Sequence, residues 1–286
     1  MVYRKVITIA STALISLCVG ISACSVKTLY NNLDYLIPEY VAGMITLDDA
    51  LENKVEQRSR ALIHWHRKTQ LTQYADWLKK VQQQVGPQLT EQQVKFHINE
   101  INRYYRDFII QLNQEMAELL PLLNEQQQNE MFSHIAHKNK EFREKYVGLD
   151  ETKRIEAYIE NLQDSYEAWL GDLSAEQEKT IVDVAKQMQS TAELRLWRRL
   201  EWQKGIKEIL SSQHSPAIKS EHLITFMSGF VNIDNDATRE TSEINNKLIA
   251  SLTAQIAHGM SSKQKDHFLT KTSDYIRMLT ELAANS

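Results

Sequence analysis

The sequence is poor in the residues that make turns. Glycine occurs 8 times and proline 4 times in 286 residues, about a third of their usual combined share of ~12%. A turn-dense β-sandwich or barrel needs more of both, and a dinucleotide-binding fold needs a glycine-rich loop. Cysteine is scarcer still: Cys18 and Cys24 are the only two, and none follows Ser25. That excludes a disulfide framework. Positive charge is also short. Lys and Arg number 33 against 37 Asp and Glu, for a net charge of −4. The basic footprint of a nucleic-acid binder is missing, and no nucleic-acid partner is expected. Neither a Gly-x-Ser-x-Gly elbow nor a phosphate-cradling glycine loop occurs. No catalytic residue, cofactor or small-molecule substrate is expected, and the chain does not read as an enzyme. What is present is a 42% hydrophobic share, enough for a folded core rather than a disordered chain.

The N-terminus reads as an address. Arg4 and Lys5 form a short positive region, and Val6 to Gly20 is apolar and uncharged. That stretch is shorter than the ~20 residues of a comfortable membrane span and suits a signal peptide. Ile21-Ser22-Ala23-Cys24 follows. It resembles the bacterial lipobox: an aliphatic residue, two small residues, then a cysteine whose sulfur takes a diacylglycerol. The resemblance implies cleavage after residue 23, acylation of Cys24, and loss of Cys18 with the leader. Two or more acyl chains hold stably, at ~0.8 kcal/mol per buried CH₂. Ser25 in place of Asp implies the outer membrane of a Gram-negative bacterium, on its periplasmic face. The expected organisation is a signal peptide over 1–23, a lipid-anchored tether or docking helix over 24–45, and a helical domain over 46–286. The best candidate for a sub-boundary is 211–219, around Pro216.

Beyond the anchor, apolar residues recur in steps of three and four, the period of a helix with one buried face. Val94, Ile98, Ile101, Tyr105, Phe108, Leu112, Met116 and Leu119 make the longest such set. Gly86-Pro87, Pro121, Gly148, Gly171, Pro216 and Gly259 fall where the sets stop. The spacing predicts helices over 46–68, 71–85, 90–120, 124–146, 151–170, 174–212, 219–231, 236–258 and 261–283. The expected fold class is all-α, a bundle of long antiparallel helices.

One local pattern repeats: an apolar residue, Ser/Thr/Asn, two residues, then Gln. It appears with Thr90 and Gln93, Asn124 and Gln127, Ser174 and Gln177, and Ser261 and Gln264. A weaker copy starts at Ile45-Thr46, with Asp49 where Gln is expected. This is a capping box, in which the first side chain accepts from the N3 backbone and the N3 Gln reaches back to the cap N–H. Read locally, the return bond lies near solvent. The pattern resembles the Leu-Thr-x-x-Gln motif of periplasmic helical proteins of the Spy/CpxP type, which implies binding of unfolded chains or of a sensor domain. Cys24-Ser25, Leu29-Tyr30-Asn31-Asn32-Leu33-Asp34, Trp65-His66-Arg67, Leu71 and Tyr74-Ala75 resemble an uncharacterised family of gammaproteobacterial lipoproteins. That likeness implies a helical fold and an envelope location and brings no activity.

Three clusters hold candidate chemistry. In His64-Trp65-His66-Arg67 the two histidines diverge by about 200° on a helix and cannot share a metal. Trp65 or His66 is expected inside, with Arg67 pairing near a helix end. Trp65, His66 and Arg67 are also candidate binding residues, as are Trp197 and Arg198 within the basic, aromatic run Leu194 to Trp202. His134 and His137, flanked by Glu130 and Glu141, have a spacing that suits one helix face. The accompanying ligand set is incomplete, so no metal is expected. The expected role is a lipid-anchored, periplasm-facing protein that binds a protein partner or unfolded client, as a chaperone-like factor or adaptor. The alternative is a structural lipoprotein that scaffolds an envelope assembly.

Overall fold

The computed structural model describes residues 23–231 and 236–284. The leader, including Ile21 and Ser22 of the lipobox, lies outside the described residues. Twelve α-helices are described: α1 (Ala23–Asn31), α2 (Leu33–Ala42), α3 (Asp49–Thr69), α4 (Leu71–Gln84), α5 (Glu91–Leu119), α6 (Glu125–Phe142), α7 (Glu151–Leu170), α8 (Ala175–Ala185), α9 (Ala192–Ser211), α10 (Pro216–Val231), α11 (Asp236–His258) and α12 (Ser262–Ala284). A 3₁₀ turn, Leu120–Leu122, follows α5, and a π-helical turn, Arg143–Val147, follows α6. No strand occurs among the described residues. No helix there is long and apolar enough to cross a membrane.

α5 is the spine. Its 29 residues run about 43 Å at 1.5 Å per residue, and α3, α10 and α11 pack along it. Three apolar clusters hold the helices together. The first joins Ile45, Leu51, Val55 and Ala117 to Ile206 of α9 and Leu223 and Met227 of α10. The second joins Leu71 and Leu78 of α4 to Tyr275, Met278 and Leu282 of α12, with Ala23, Val26 and Tyr30 of α1 packed on it. The third joins Leu170, Ile181, Val184, Leu252 and Ile256 from α7, α8 and α11. Trp169 belongs to the margins of the last two, with its ring 6.0 Å from Phe268 and 5.6 Å from Tyr275. Each fully buried leucine or isoleucine contributes about 1.5–3 kcal/mol.

The periodicity located most helices to within three residues at each end. It failed in one place. The expected helix 174–212 is two, α8 and α9, separated by residues 186–191. No Gly or Pro marks the break. It is held by distant groups instead: Arg154 donates to the Met188 carbonyl at 2.8 Å and the Tyr158 hydroxyl to that of Gln189 at 3.3 Å. Asn245 accepts from the Gln189 N–H at 2.9 Å and donates to its carbonyl at 2.8 Å. Residues 25–45, expected as a tether or docking helix, lie in α1, α2 and the turn after them, and both helices pack on the body. The turn at 212–215 between α9 and α10 is short, and both helices share the first cluster.

Gly205 is where α9 meets α10. A Cβ built there would stand 2.1 Å from Cζ and 2.4 Å from Cε2 of the Phe226 ring. Gly205→Ala should therefore destabilise the protein by about 1–3 kcal/mol, the cost of overpacking, although alanine is the better helix former by ~1 kcal/mol. A urea melt measures the balance, and a more stable variant would show that the ring moves aside freely.

Candidate functional site

The repeated openers are built as their chemistry predicts. Thr90, Asn124 and Ser174 each accept from the backbone N–H three residues on, and Gln93, Gln127 and Gln177 return the bond to the cap N–H. Ser261 and Gln264 do the same at 3.2 and 3.0 Å. The weak copy does not cap: Asp48, rather than Thr46, accepts from Leu51 at the start of α3. An aspartate two residues nearer the helix outcompetes the threonine, because its charge also favours the positive helix end.

The return bond is not near solvent in three of the four strong copies. Gln127, Gln177 and Gln264 are buried, at 4–5% exposure. Gln177 and Gln264 face each other across 87 residues of chain. Nε2 of Gln264 donates to Oε1 of Gln177 at 2.8 Å, and Nε2 of Gln177 donates back at 3.2 Å. The other hydrogen of each amide goes to a backbone carbonyl: Asp172 for Gln264, at 2.8 Å, and Ile256 for Gln177, at 3.4 Å. Each Oε1 also takes its own cap N–H, at 2.9 and 3.0 Å. Every donor and acceptor of the two amides is used. Gln127 repeats half of this arrangement. Its Nε2 donates to the Thr46 carbonyl at 2.9 Å, and Glu130 accepts from the Thr46 N–H at 2.6 Å. The openers are thus docked on one another as well as capped. Gln93 is partly exposed and serves its cap.

His66 is the member of the Trp65-His66-Arg67 cluster that turns inward. Its Nδ1 lies 2.8 Å from the Tyr30 hydroxyl and its Nε2 3.4 Å from that of Tyr74. The Phe108 ring stands edge-on at 5.7 Å. Burial pushes His66 down to about 4, so it is neutral in the fold. Burial also pushes Tyr30 up to about 12, against the opposing pull of Arg67. Arg67 donates to Asn31 at the end of α1, at 3.1 Å, with its guanidinium 5.3 Å from the Tyr30 ring centre. Trp65 is partly buried, 6.2 Å from His66. The aromatic row continues through Tyr74, Tyr104 and Trp77 to His97. There Trp77 donates to Nδ1 at 3.1 Å, and Nε2 meets the Gln84 amide oxygen at 2.9 Å. Burial lowers the pKa of His97 as well, with Lys80 adding and Glu100 opposing. The cluster thus fastens α1, α3, α4 and α5 together. Beside Trp77 and His97 lies an apolar cavity of about 160 Å³, lined further by Val94, Ile256, Met260 and Phe268.

α9 carries the second candidate group. Trp197 and Leu200 stand exposed, each at 41%, and their spacing puts them about 60° apart on one face. Exposed Lys204 and Lys207 continue that stripe. Arg198 turns the other way and donates to the Phe230 carbonyl at 3.3 Å. Arg195 and Arg199 both lie over the buried Phe142 ring, with guanidinium carbons 5.3 and 4.7 Å from its centre. Phe142 is the last residue of α6, and the π-helical turn after it packs on α9.

Only one of the two acids that flank His134 and His137 meets a histidine. His137 pairs with Glu141 at 3.2 Å, both exposed, and Glu130 is bound to Thr46. No group of three potential metal ligands forms among the described residues.

These features define an all-α protein whose helix starts are locked to one another by buried glutamines. More than half of the chain, residues 44–229, matches the profile of DUF6279, a family of unknown function, and the chain belongs to that family. Comparison with curated proteins and with solved structures finds no match.

Proposed function

We propose that the chain is a lipid-anchored, non-enzymatic protein of the outer membrane, facing the periplasm, that binds another protein. The observation that carries the binding reading is the Trp197–Leu200 pair. A tryptophan and a leucine stand exposed on one face of α9, edged by lysines, while the same helix buries Leu196, Ile206 and Leu210. Tryptophan is among the residues most enriched in binding hot spots. Arg195 and Arg199 tie the same helix to Phe142 of α6. The anchor reading is supported by the lipobox sequence and by the position of Cys24 in the first turn of α1.

Photo-crosslinking amino acids at positions 197 and 200 in intact cells test the binding surface. Adducts are expected there and not at Lys263, which lies on another helix. One discrete adduct marks an adaptor or a scaffold partner, whereas a broad set marks unfolded clients. With the crosslinking amino acid moved to exposed Lys204, a Trp197→Ser/Leu200→Ser variant should keep its melting temperature and lose the adducts and any ATP-independent suppression of client aggregation. Wild-type adduct levels in that variant would remove the surface from consideration.

The anchor has its own test. Cys24→Ser should abolish labelling by a fatty-acid analogue and leave the precursor uncleaved by the lipoprotein signal peptidase. Undiminished labelling of that variant would end the lipoprotein reading.

A further inference from the structure

We infer that α1 and α2 form a foot that lies directly against the neutral head-group layer of the membrane, with the Gln177–Gln264 end of the body pointing away from it. This rests on the anchored reading above. Three observations support it.

The anchor has no slack. Val26, two residues after Cys24, already packs on the cluster of Leu71, Leu78, Tyr275, Met278 and Leu282, as does Tyr30. Lys27 pairs with Glu281 at 2.6 Å, Tyr30 bonds His66 and Asn31 bonds Arg67. A flexible tether of twenty residues would let the body stand off by about 25 Å. Here a lipid on Cys24 holds the packed body within a helix turn of the head groups.

The foot also carries exposed apolar surface. Among the described residues eight large hydrophobic side chains stand exposed, and three of them, Leu29, Tyr35 and Tyr40, are on α1 and α2, at 40, 63 and 46%. Tyrosine, with an apolar ring and a polar tip, is the residue type that collects at membrane interfaces. The exposed charges beside them, Asp34 and Glu39, are acidic, which selects zwitterionic lipid over anionic lipid.

The third observation separates the two ends of the body. α1 sits on the C-terminal half of α12, at Tyr275 to Leu282. The helix starts at Ser262, so its start lies about 20–30 Å further along the axis. Gln264, Gln177 and Asp172 meet at that start.

The test uses the full, acylated chain purified and reconstituted into phosphatidylcholine vesicles. With Cys24 acylated, one cysteine introduced at Leu29, Tyr35 or Tyr40 is the only thiol for an environment-sensitive fluorophore. Emission at 35 and 40 should shift to the blue and fall at least twofold with nitroxide-bearing lipid. Labels at Asp172→Cys and Lys263→Cys should respond to aqueous iodide alone. Because a fluorophore can itself draw a helix to lipid, hydroxyl-radical footprinting of the unsubstituted chain is the second measurement. Oxidation of Tyr35 and Tyr40 should drop several-fold in vesicles relative to a lipid-free Cys24→Ser chain made without residues 1–23, with Trp197 unchanged. Full iodide access and undiminished oxidation at 35 and 40, in a chain that still carries the fatty-acid label, would overturn the foot and leave the anchor standing. A chain that carries no fatty-acid label and washes off vesicles would overturn both.

Discussion

Gln177→Glu should destabilise the protein by about 2–3 kcal/mol, although glutamate caps a helix as well as glutamine does. The carboxylate keeps the bond to the Ser174 N–H but has no hydrogen for the Ile256 carbonyl or for Oε1 of Gln264. It also places a charge at a site that is 4% exposed, where an unpaired polar group costs about 1–3 kcal/mol and a charge more. Gln177→Ala and Gln264→Ala should each lose about 2 kcal/mol. The double variant should lose less than their sum, by about 1 kcal/mol, because the amide pair is removed only once. Ser174→Ala removes a cap alone and should cost about 1 kcal/mol. At roughly 2–4 °C per kcal/mol for a chain of this size, thermal melts separate these outcomes. A Gln177→Glu protein that melts with the wild type would reduce the openers to capping.

The second large effect is a loss of stability in acid that belongs to His66. Its pKa in the fold, about 4, lies below its ordinary value of 6.5. Between those values the unfolded chain holds a proton that the folded chain does not. The contribution is therefore complete above about pH 6.5 and is lost as the pH falls toward 4. The full shift corresponds to about 3 kcal/mol, and about 2–3 after allowing for the solvent that reaches a partly buried ring. His97 is lowered in the same direction, so the reading is a difference. His66→Phe fills the site without titrating. It should be about 1 kcal/mol less stable than wild type at pH 7, for want of the Tyr30 and Tyr74 bonds. Near pH 4 it should match or exceed wild type. Urea melts across that range decide it, and parallel pH curves for the two proteins would show that His66 is protonated in the fold.

The parts of the fold legible in the sequence were those decided by neighbouring residues. Thr90, Asn124, Ser174 and Ser261 announce helix starts because a cap and its N3 partner lie three residues apart. The break at 186–191 was illegible because its causes, Arg154, Tyr158 and Asn245, lie 31 to 56 residues away. The first opener was misplaced by two residues because Thr46 and Asp48 are both cap formers and local chemistry ranks them closely. His66 was expected inside as an alternative to Trp65. Its partners Tyr30 and Phe108 come from other helices, so only packing decided between them. One signal for the paired openers did lie in the sequence. Glutamate suits a capping box equally, yet all four strong copies carry glutamine, whose amide has two hydrogens that the cap does not use. Three of the four spend them on another part of the chain.

The seat of α1 has a consequence in time. Lys27 meets Glu281 across 254 residues, and the other walls of its seat include Tyr275, Met278 and Leu282. The first described helix thus docks on the last described one. Until α12 is in place, Val26 and Tyr30 have no finished surface to cover them. The first described segment is therefore among the last to be secured, and a chain truncated before α12 would present it bare.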